Sequence, residues 1–477
     1  MPSFINTNMS ALNTMRQLNK TQETLSTAME RLSSGKRINS AKDDAAGLGI
    51  AASMLSQING MNQAMRNAYD GVSMAQTAEG ALSTSADMLQ RMRTLAVQAS
   101  NASNSPADTQ ALQAEINQLA SGLNDIASKS SFNGQRLLNG TMATQQFQVG
   151  PNAGDTVSVG GTNFQTNAYG NNRLESEAVT PGTAVDAGRF TITGSAGSAT
   201  VSTAAGASAR DVADAINAQS DRTGVTATAS TDVNLGNLQA GQSYSFELTS
   251  NNSSAVSVSF TVGDDGDLSS AVNAFNQQSA KTGVTAQADA VTGGLKLTNA
   301  SGEVIGLQAA PGSALAEMRA YDASGNLSAN AAQITDAGVT EAAGTVALNS
   351  ANAFSVTEST PLGGIAVAGS SQLNTVADID VSSFESAQNA IATIDSALAA
   401  ISSEQAKYGA IQNRFTATID NLVIGAENTT AAKSRIMDAD YAQQVSDMSR
   451  SLLLQKMGVA MQAQANQSPQ AVLSLLK

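Results

Sequence analysis

From Phe384 to Leu422 the apolar residues keep a seven-residue repeat. Ala387, Ile394, Ile401, Tyr408, Phe415 and Leu422 occupy one position, and Phe384, Ile391, Leu398 and Ile419 lie three residues earlier. A straight α-helix drifts off such a repeat, so a long run of it predicts a helix that winds around a partner. Gln405 and Gln412 interrupt the companion row, where polar side chains set register at some expense of stability. No proline breaks the stretch.

The same spacing recurs near the start of the chain. No proline falls between Pro2 and Pro106, and two helices fit that window. The first has Ala11, Leu18, Leu25 and Leu32 on one row and Met15 and Met29 on its companion, with Ser33-Ser34-Gly35 as a stop. The second, very long, interleaves Leu48, Leu55 and Tyr69 with Ala51, Ile58, Met65 and Val72, then continues through Leu82, Leu89, Met92 and Ala96 after a phase shift. Met15, Met29, Met54, Met65 and Met92 read as core filling, because methionine adapts to irregular gaps. Ser105-Pro106 is a helix-start signal for a third helix carrying Leu112, Ile116, Leu119, Leu123 and Ile126 and ending near Asn133-Gly134. Alternation at Phe147, Val149, Val157 and Val159 around Pro151-Asn152-Ala153-Gly154 predicts a β-hairpin.

From about Thr180 to Ser371 the chain is rich in Gly, Ser, Thr, Ala and Asn, with short alternating runs. An internal repeat is visible: Phe190, Ile192, Asp211, Val212 and Asn217 match Phe246, Leu248, Asp267, Leu268 and Asn273, and Thr223-Gly224-Val225-Thr226-Ala227 returns as Thr282-Gly283-Val284-Thr285-Ala286. Each copy reads strand, strand, helix, strand. The composition also suits disorder, but a repeated element pattern weighs against it. Beyond Ser371 helices return, and a last amphipathic segment after Asn428-Thr429-Thr430 carries Ile436, Val445, Met448, Leu452 and Val459. With seam-bearing helices at both ends, the simplest arrangement pairs the termini and carries the middle as an insertion.

Composition narrows the chemistry. The 477 residues include no His, no Cys and no Trp. That removes the commonest general base, triads built on His, thiol ligation and disulfides, so no catalytic residue, metal site or cofactor is assigned. Met1 to Ser10 shows no signal-peptide pattern, and no run of eighteen apolar residues predicts a membrane span. Net charge is -14, and residues 155–358 carry 19 acidic against 7 basic groups. This argues against nucleic acid, which needs a basic footprint, and suits a solvated outer surface.

Two motifs are set aside. Gly47-Leu48-Gly49-Ile50-Ala51-Ala52 fits a loose dinucleotide fingerprint, but Lys42-Asp43-Asp44 stands where a hydrophobic strand is required, so the glycines read as sites of close helix approach. Asp264-Asp265-Gly266-Asp267 lacks the spacing of a calcium loop and reads as a turn capped by Asp267.

The stretch Leu32-Ser33-Ser34-Gly35-Lys36-Arg37-Ile38-Asn39-Ser40-Ala41-Lys42-Asp43-Asp44-Ala45-Ala46-Gly47-Leu48 resembles the N-terminal signature of bacterial flagellins. Residues 89–98, 132–138 and 413 through 442 resemble further flagellin segments in the family's order, and the two middle repeats resemble an insert motif of flagellins and hook-associated proteins. The resemblance covers roughly residues 1–160 and 380–477.

It implies an α + β multidomain filament subunit. Long terminal α-helices would form a coiled-coil inner core, residues 1–44 and 435–477, lining an inner tube. A helical inner domain with the β-hairpin would span 45–179 and 372–434. A variable β-rich outer domain would occupy 180–371, with the repeats at about 188–230 and 243–298. The seam residues are Leu18, Leu25, Leu32, Leu48, Leu55, Ile58, Met65, Ile391, Ile394, Leu398, Ile401, Tyr408, Phe415, Leu422, Leu452 and Val459. The resemblance also implies secretion to the extracellular flagellum and a helical homopolymer serving swimming motility. Its implied partners are an export chaperone and secretion apparatus, hook-associated and cap proteins, and the innate immune flagellin receptor, which would recognise Gln90, Arg91, Leu95 and Glu115. Thr94 stands where an acidic residue is common in the family. The alternatives are a hook-filament junction protein and a secreted adhesin-like surface protein. A metalloprotease insertion is excluded by the absence of His.

Overall fold

The computed structural model describes residues 7–101, 104–252, 254–289, 292–363, 365 and 367–474. Most of the segment read for a signal peptide, its first six residues, lies outside them. The chain divides into two compact units, one of Met1–Ala75, Thr144–Val159 and Ala410–Lys477, the other of Gln76–Ala143 and Gly160–Gly409.

Helix α1 (Met9–Ser34) begins at Asn8, whose side chain accepts the Ala11 N–H, and ends at Gly35. Gly35 has φ 69°, the left-handed conformation glycine adopts without penalty, and its N–H donates to Arg31 O. Its inner face is Leu25 with Thr21 and Ala28, whereas Met15 and Met29 turn outward. Helix α2 (Ala45–Ala99) contributes to both units. Here the expected phase shift does not occur. Met61, Ala68, Ala75, Leu82, Leu89 and Ala96 are buried on one row, and Ala64, Gly71, Ala78, Ser85, Met92 and Ala99 on the other. A reading weighted to large side chains passes over Ala and Gly, which line the seam because they let neighbours approach closely. Leu55 and Tyr69 are consequently exposed.

Helix α3 (Pro106–Lys129) starts with a capping box in which Ser105 and Asp108 satisfy each other's backbone N–H. It stops short of Asn133-Gly134, which instead form the turn between β1 (Ser131–Phe132) and β2 (Gln135–Arg136). The expected hairpin follows as β3 (Gln145–Gln148) and β4 (Thr156–Val159), with Phe147 opposite Val157.

The second unit adds β5 (Gly170–Glu175) and the two repeats. The first copy is β6 (Gly188–Thr193), β7 (Ser198–Thr203), α4 (Ala209–Asn217), the single turn α5 (Ser220–Thr223) and β8 (Thr226–Gly236). The second is β9 (Ser243–Thr249), β10 (Val256–Thr261), α6 (Ser269–Asn276), α7 (Ser279–Thr282) and β11 (Val284–Ala288). The copies drift apart in register. Phe190 matches Phe246, but Asn217 matches Asn276 rather than Asn273. Asn217 exchanges two hydrogen bonds with the Ala227 backbone as Asn276 does with that of Ala286. Extra residues in the second copy's turns account for the difference. At the helix start Ser208 pairs with Asp211 in the first copy, whereas Asp267 accepts from Ser269 in the second.

Strands β12 (Leu295–Asn299), β13 (Ile305–Ala309), β14 (Ala316–Ala320), β15 (Ala332–Ile334), β16 (Thr340–Ala342), β17 (Thr345–Ser350), β18 (Ser355–Thr360), β19 (Gly369–Ser370) and β20 (Gln372–Thr375) complete the sheets. Their orders are β11-β12-β8-β17-β5-β20, with β14 attached to β8 and β15 to β14, then β10-β9-β13-β16, and β19-β18-β6-β7. Each repeat has its own core: Phe190, Ile192, Val212 and Ile216 in one, and Tyr244, Phe246, Phe260 and Phe275 in the other. Burial on this scale distinguishes the region from a disordered chain.

Helix α8 (Phe384–Met437) buries the expected row of Ala387, Ile394, Ile401, Tyr408, Phe415 and Leu422. In its first half the companion row lies three residues later than that row, at Ala390, Ala397 and Glu404, while Phe384 is exposed and Ile391 and Leu398 are half-buried; Ile419 is buried on the expected companion position. The helix runs unbroken through Asn428–Thr430, because the Thr429 hydroxyl donates to Gly425 O inside the helix instead of capping a new one. The true start is Asp440, whose carboxylate accepts from the Ala442 and Gln443 N–H groups ahead of α9 (Tyr441–Ser474).

Candidate assembly and recognition surfaces

Helices α1 and α9 form an antiparallel pair. Asn8 Nδ2 donates to Ala465 O at 2.7 Å, and Gln455 donates to Gln22. At the other end Arg37 donates to Met437 O and Ile436 O, and Ala439 N to Gly35 O. Between the two helices, a Cβ on Gly458 would lie 3.0 Å from Leu18 Cδ1. Mostly small and polar residues face α1: Gln444 and Ser451 are buried and Gln455, Gly458 and Gln462 half-buried, together with Met448 of the expected stripe.

The rest of the expected face of α9 is turned away from α1. Leu452 and Val459 point outward, Val459 being 56% exposed, together with Leu453 (64%), Met457 (65%) and Met461. On α1, Met9, Leu12, Met15 and Met29 are also exposed. Apolar side chains crowded on the outside of one chain mark a surface that another molecule covers. The signal that could have found the inner face is a heptad of small residues, Ser451, Gly458 and Ala465, which hydropathy does not register.

The remaining seam residues separate by depth. Leu18, Leu32, Leu48, Ile58 and Met65 are half-buried, and Ile58 and Met65 pack against Met61, Ala64 and Leu422. In the same unit the Phe415 ring lies 5.5 Å from that of Phe147, edge to face, which fastens the hairpin onto α8.

On the other unit, Arg91 and Glu115 meet across α2 and α3. Arg91 Nε and Nη2 both donate to Glu115 Oε1, at 3.0 and 2.7 Å, and both side chains are about half exposed. Gln90 is exposed beside them. Leu95 is not: at 1% exposure it is buried. The Thr94 hydroxyl donates to Gln90 O and is spent on its own helix. A second ion pair, Arg93 Nε to Asp395 Oδ1 at 2.6 Å, joins α2 to α8, and that hydrogen bond raises the guanidinium pKa further. No local pattern could have shown it across such a sequence separation.

Among the described residues no cluster of three or more Asp, Glu, His or Cys is placed to hold a metal, and no helix is long and apolar enough to cross a membrane. Gly47 does not serve a helix crossing: a Cβ there would meet Asp44 and Ile38 of the preceding loop, and Gly49 has open space.

Comparison with known proteins gives three matches to family models. Residues 5–143 match the bacterial flagellin N-terminal helical region, 391–476 the bacterial flagellin C-terminal helical region, and 189–240 the flagellin hook IN motif. Among curated proteins the chain is 40% identical to the B-type flagellin of Pseudomonas aeruginosa, covering 100% of both. It is 33% identical to polar flagellin A of Vibrio parahaemolyticus and 33% to flagellin B of Vibrio cholerae, covering 99% of each chain in both cases.

Proposed function

The chain belongs to the bacterial flagellin family of structural filament subunits, and from that premise we propose that it is secreted and polymerises into the extracellular filament used for swimming. One observation carries the reading: α1 and α9 spend their small residues on each other and leave Leu453, Met457 and Met461 uncovered. Covering side chains of that size stabilises by roughly 1.5 to 3 kcal/mol each, which is ample for a lattice of identical contacts.

In this reading residues 1–44 and 435–477 line the inner tube, 45–179 and 372–434 surround it, and 180–371 face outward. The terminal segments order fully only on assembly, because a single narrow helix pair offsets little of the backbone ordering cost of about 1 to 2 kcal/mol per residue. Export proceeds through a dedicated secretion apparatus with a chaperone for the C-terminal segment, and assembly ends meet hook-associated and cap proteins. The exposed Arg91–Glu115 pair with Gln90 supports recognition of the monomer by the innate immune receptor for flagellin.

Salt-induced assembly of the purified monomer, followed by electron microscopy, tests the central claim. Filaments are the expected result. A protein that stays monomeric when seeded with its own fragments overturns it.

A further inference from the structure

The first turns of α8 rest on the β-rich sheet through polar groups. Glu385 lies in the first turn, and its Oε2 stands 3.5 Å from Lys296 Nζ on β12. Lys296 also reaches Asp232 Oδ1 on β8 at 3.4 Å, and its ammonium lies 4.8 Å from the centre of the Tyr321 ring. Tyr321 is held in turn, donating to Asp289 and accepting from Asn234 Nδ2 at 3.3 Å. The loop after β14 closes over the carboxylate: Gly325 has φ 83°, and a Cβ on it would fall 2.5 Å from Glu385 Oε2. One turn further along α8, Asn389 Oδ1 accepts from Arg173 Nη1 at 2.5 Å, and about two turns beyond that Ser396 donates to Asn171 at 3.2 Å.

We propose that Lys296 and Glu385 form a latch that fastens the β-rich region to the start of α8 and closes more firmly as the solution becomes more acidic. Around Glu385 stand Lys296, Asp232 and Asp322; around Lys296 stand Asp232, Glu385 and Tyr321. Two carboxylates, Glu385 and Asp232, thus share one ammonium in a half-buried place, and Asp322 adds a third negative charge beside Glu385.

The sign follows from that imbalance. Burial pushes the Glu385 carboxyl above its ordinary range, and Asp232 and Asp322 add to the rise, against the opposing pull of Lys296. The docked state therefore holds the Glu385 proton more tightly than the undocked state. Docking strengthens as pH falls through the raised value and weakens as pH rises through it. Burial alone would lower the Lys296 pKa, but Asp232 and Glu385 outweigh it and raise it, so the ammonium stays charged throughout this range. Protonating Glu385 leaves Lys296 paired with Asp232, which is why acid relieves crowding without abolishing the contact.

Hydrogen exchange of the full-length monomer, corrected for intrinsic rates, reads the latch directly. Amides of residues 384–396 should be better protected in acid, at the ordinary carboxylate range, than near neutrality. Glu385→Gln should remove that difference while keeping the higher protection. Lys296→Met should lower protection near neutrality and regain it in acid, a rescue that a purely structural lysine would not give. The proposal is overturned if Glu385→Gln responds to pH as the parent does. It is equally overturned if folded Lys296→Met, checked by circular dichroism, matches the parent near neutrality. Should Lys296→Met fail to fold, the Glu385→Gln comparison decides alone.

Discussion

The ring of Phe415 occupies the space that a side chain at Gly71 would need: a Cβ there would lie 2.5 Å from the ring's Cζ. Phe415 is fully buried, and its edge-to-face partner Phe147 closes the other side. Gly71→Ala must therefore displace an aromatic ring that has nowhere free to go. Overpacking of this kind costs about 1 to 3 kcal/mol, and more than offsets the gain in helix propensity of about 1 kcal/mol from replacing glycine. Thermal unfolding of the purified monomer should show a lower midpoint; an unchanged or higher one contradicts the packing.

Replacing Leu453 and Met457 together with Ser separates assembly from folding. Both are well exposed on a single chain, so the monomer should keep its helical circular dichroism, with a change of about 0.5 kcal/mol or less per site. Polymerisation should fail or need far more protein, as sedimentation would report. Normal filaments from the double variant would show that another face of α9 carries the contacts.

Arg91→Ala tests recognition. The ion pair with Glu115 is exposed, so its loss should alter stability by no more than about 1 kcal/mol. Receptor signalling by the monomer should fall markedly, since a central Arg is a frequent binding hot spot. Intact cross-linked filaments should signal weakly whatever stands at 91. Leu95→Ala should instead lower the melting temperature, because that side chain is buried.

Acid should loosen the start of α3. Hydrogen bonds from the Ser105 side chain and backbone depress the Asp108 pKa below its ordinary value. Its contribution is thus present above the ordinary carboxylate range and is lost as pH falls through the lowered value. Amide exchange in residues 105–110 should accelerate in that acid window, and Asp108→Asn should exchange faster at neutral pH with little further response. A parent-like acid response in the variant would assign the effect elsewhere.

The fold was legible wherever one large side chain per heptad marked a buried row, as from Ile394 to Leu422 on α8 and at Phe190 and Phe246 in the repeats. It was misread wherever Ala, Gly or Ser did the lining. Leu55, Leu452 and Val459 were placed on seams that the chain fills with Ala64, Ser451 and Gly458. Hydropathy rewards size, whereas close helix contact rewards its absence. The proposed recognition residues come only from resemblance, and resemblance does not tell an exposed side chain such as Arg91 from a buried one such as Leu95. Long-range pairs such as Arg93 with Asp395, or Lys296 with Glu385, leave no local pattern at all.

The two repeats keep the Asn–backbone clamps behind their helices while differing in the length of the turns ahead of them. Within the turn from Gly263 to Asp267, Asp264 through Asp267 are exposed, and Gly266 takes φ 82°. A stretch that has already absorbed extra residues without disturbing the elements on either side is a natural splice point. A foreign peptide grafted there would ride on a rigid scaffold, and polymerisation would copy it once per subunit along the whole fibre, turning the protein into a regularly spaced display array.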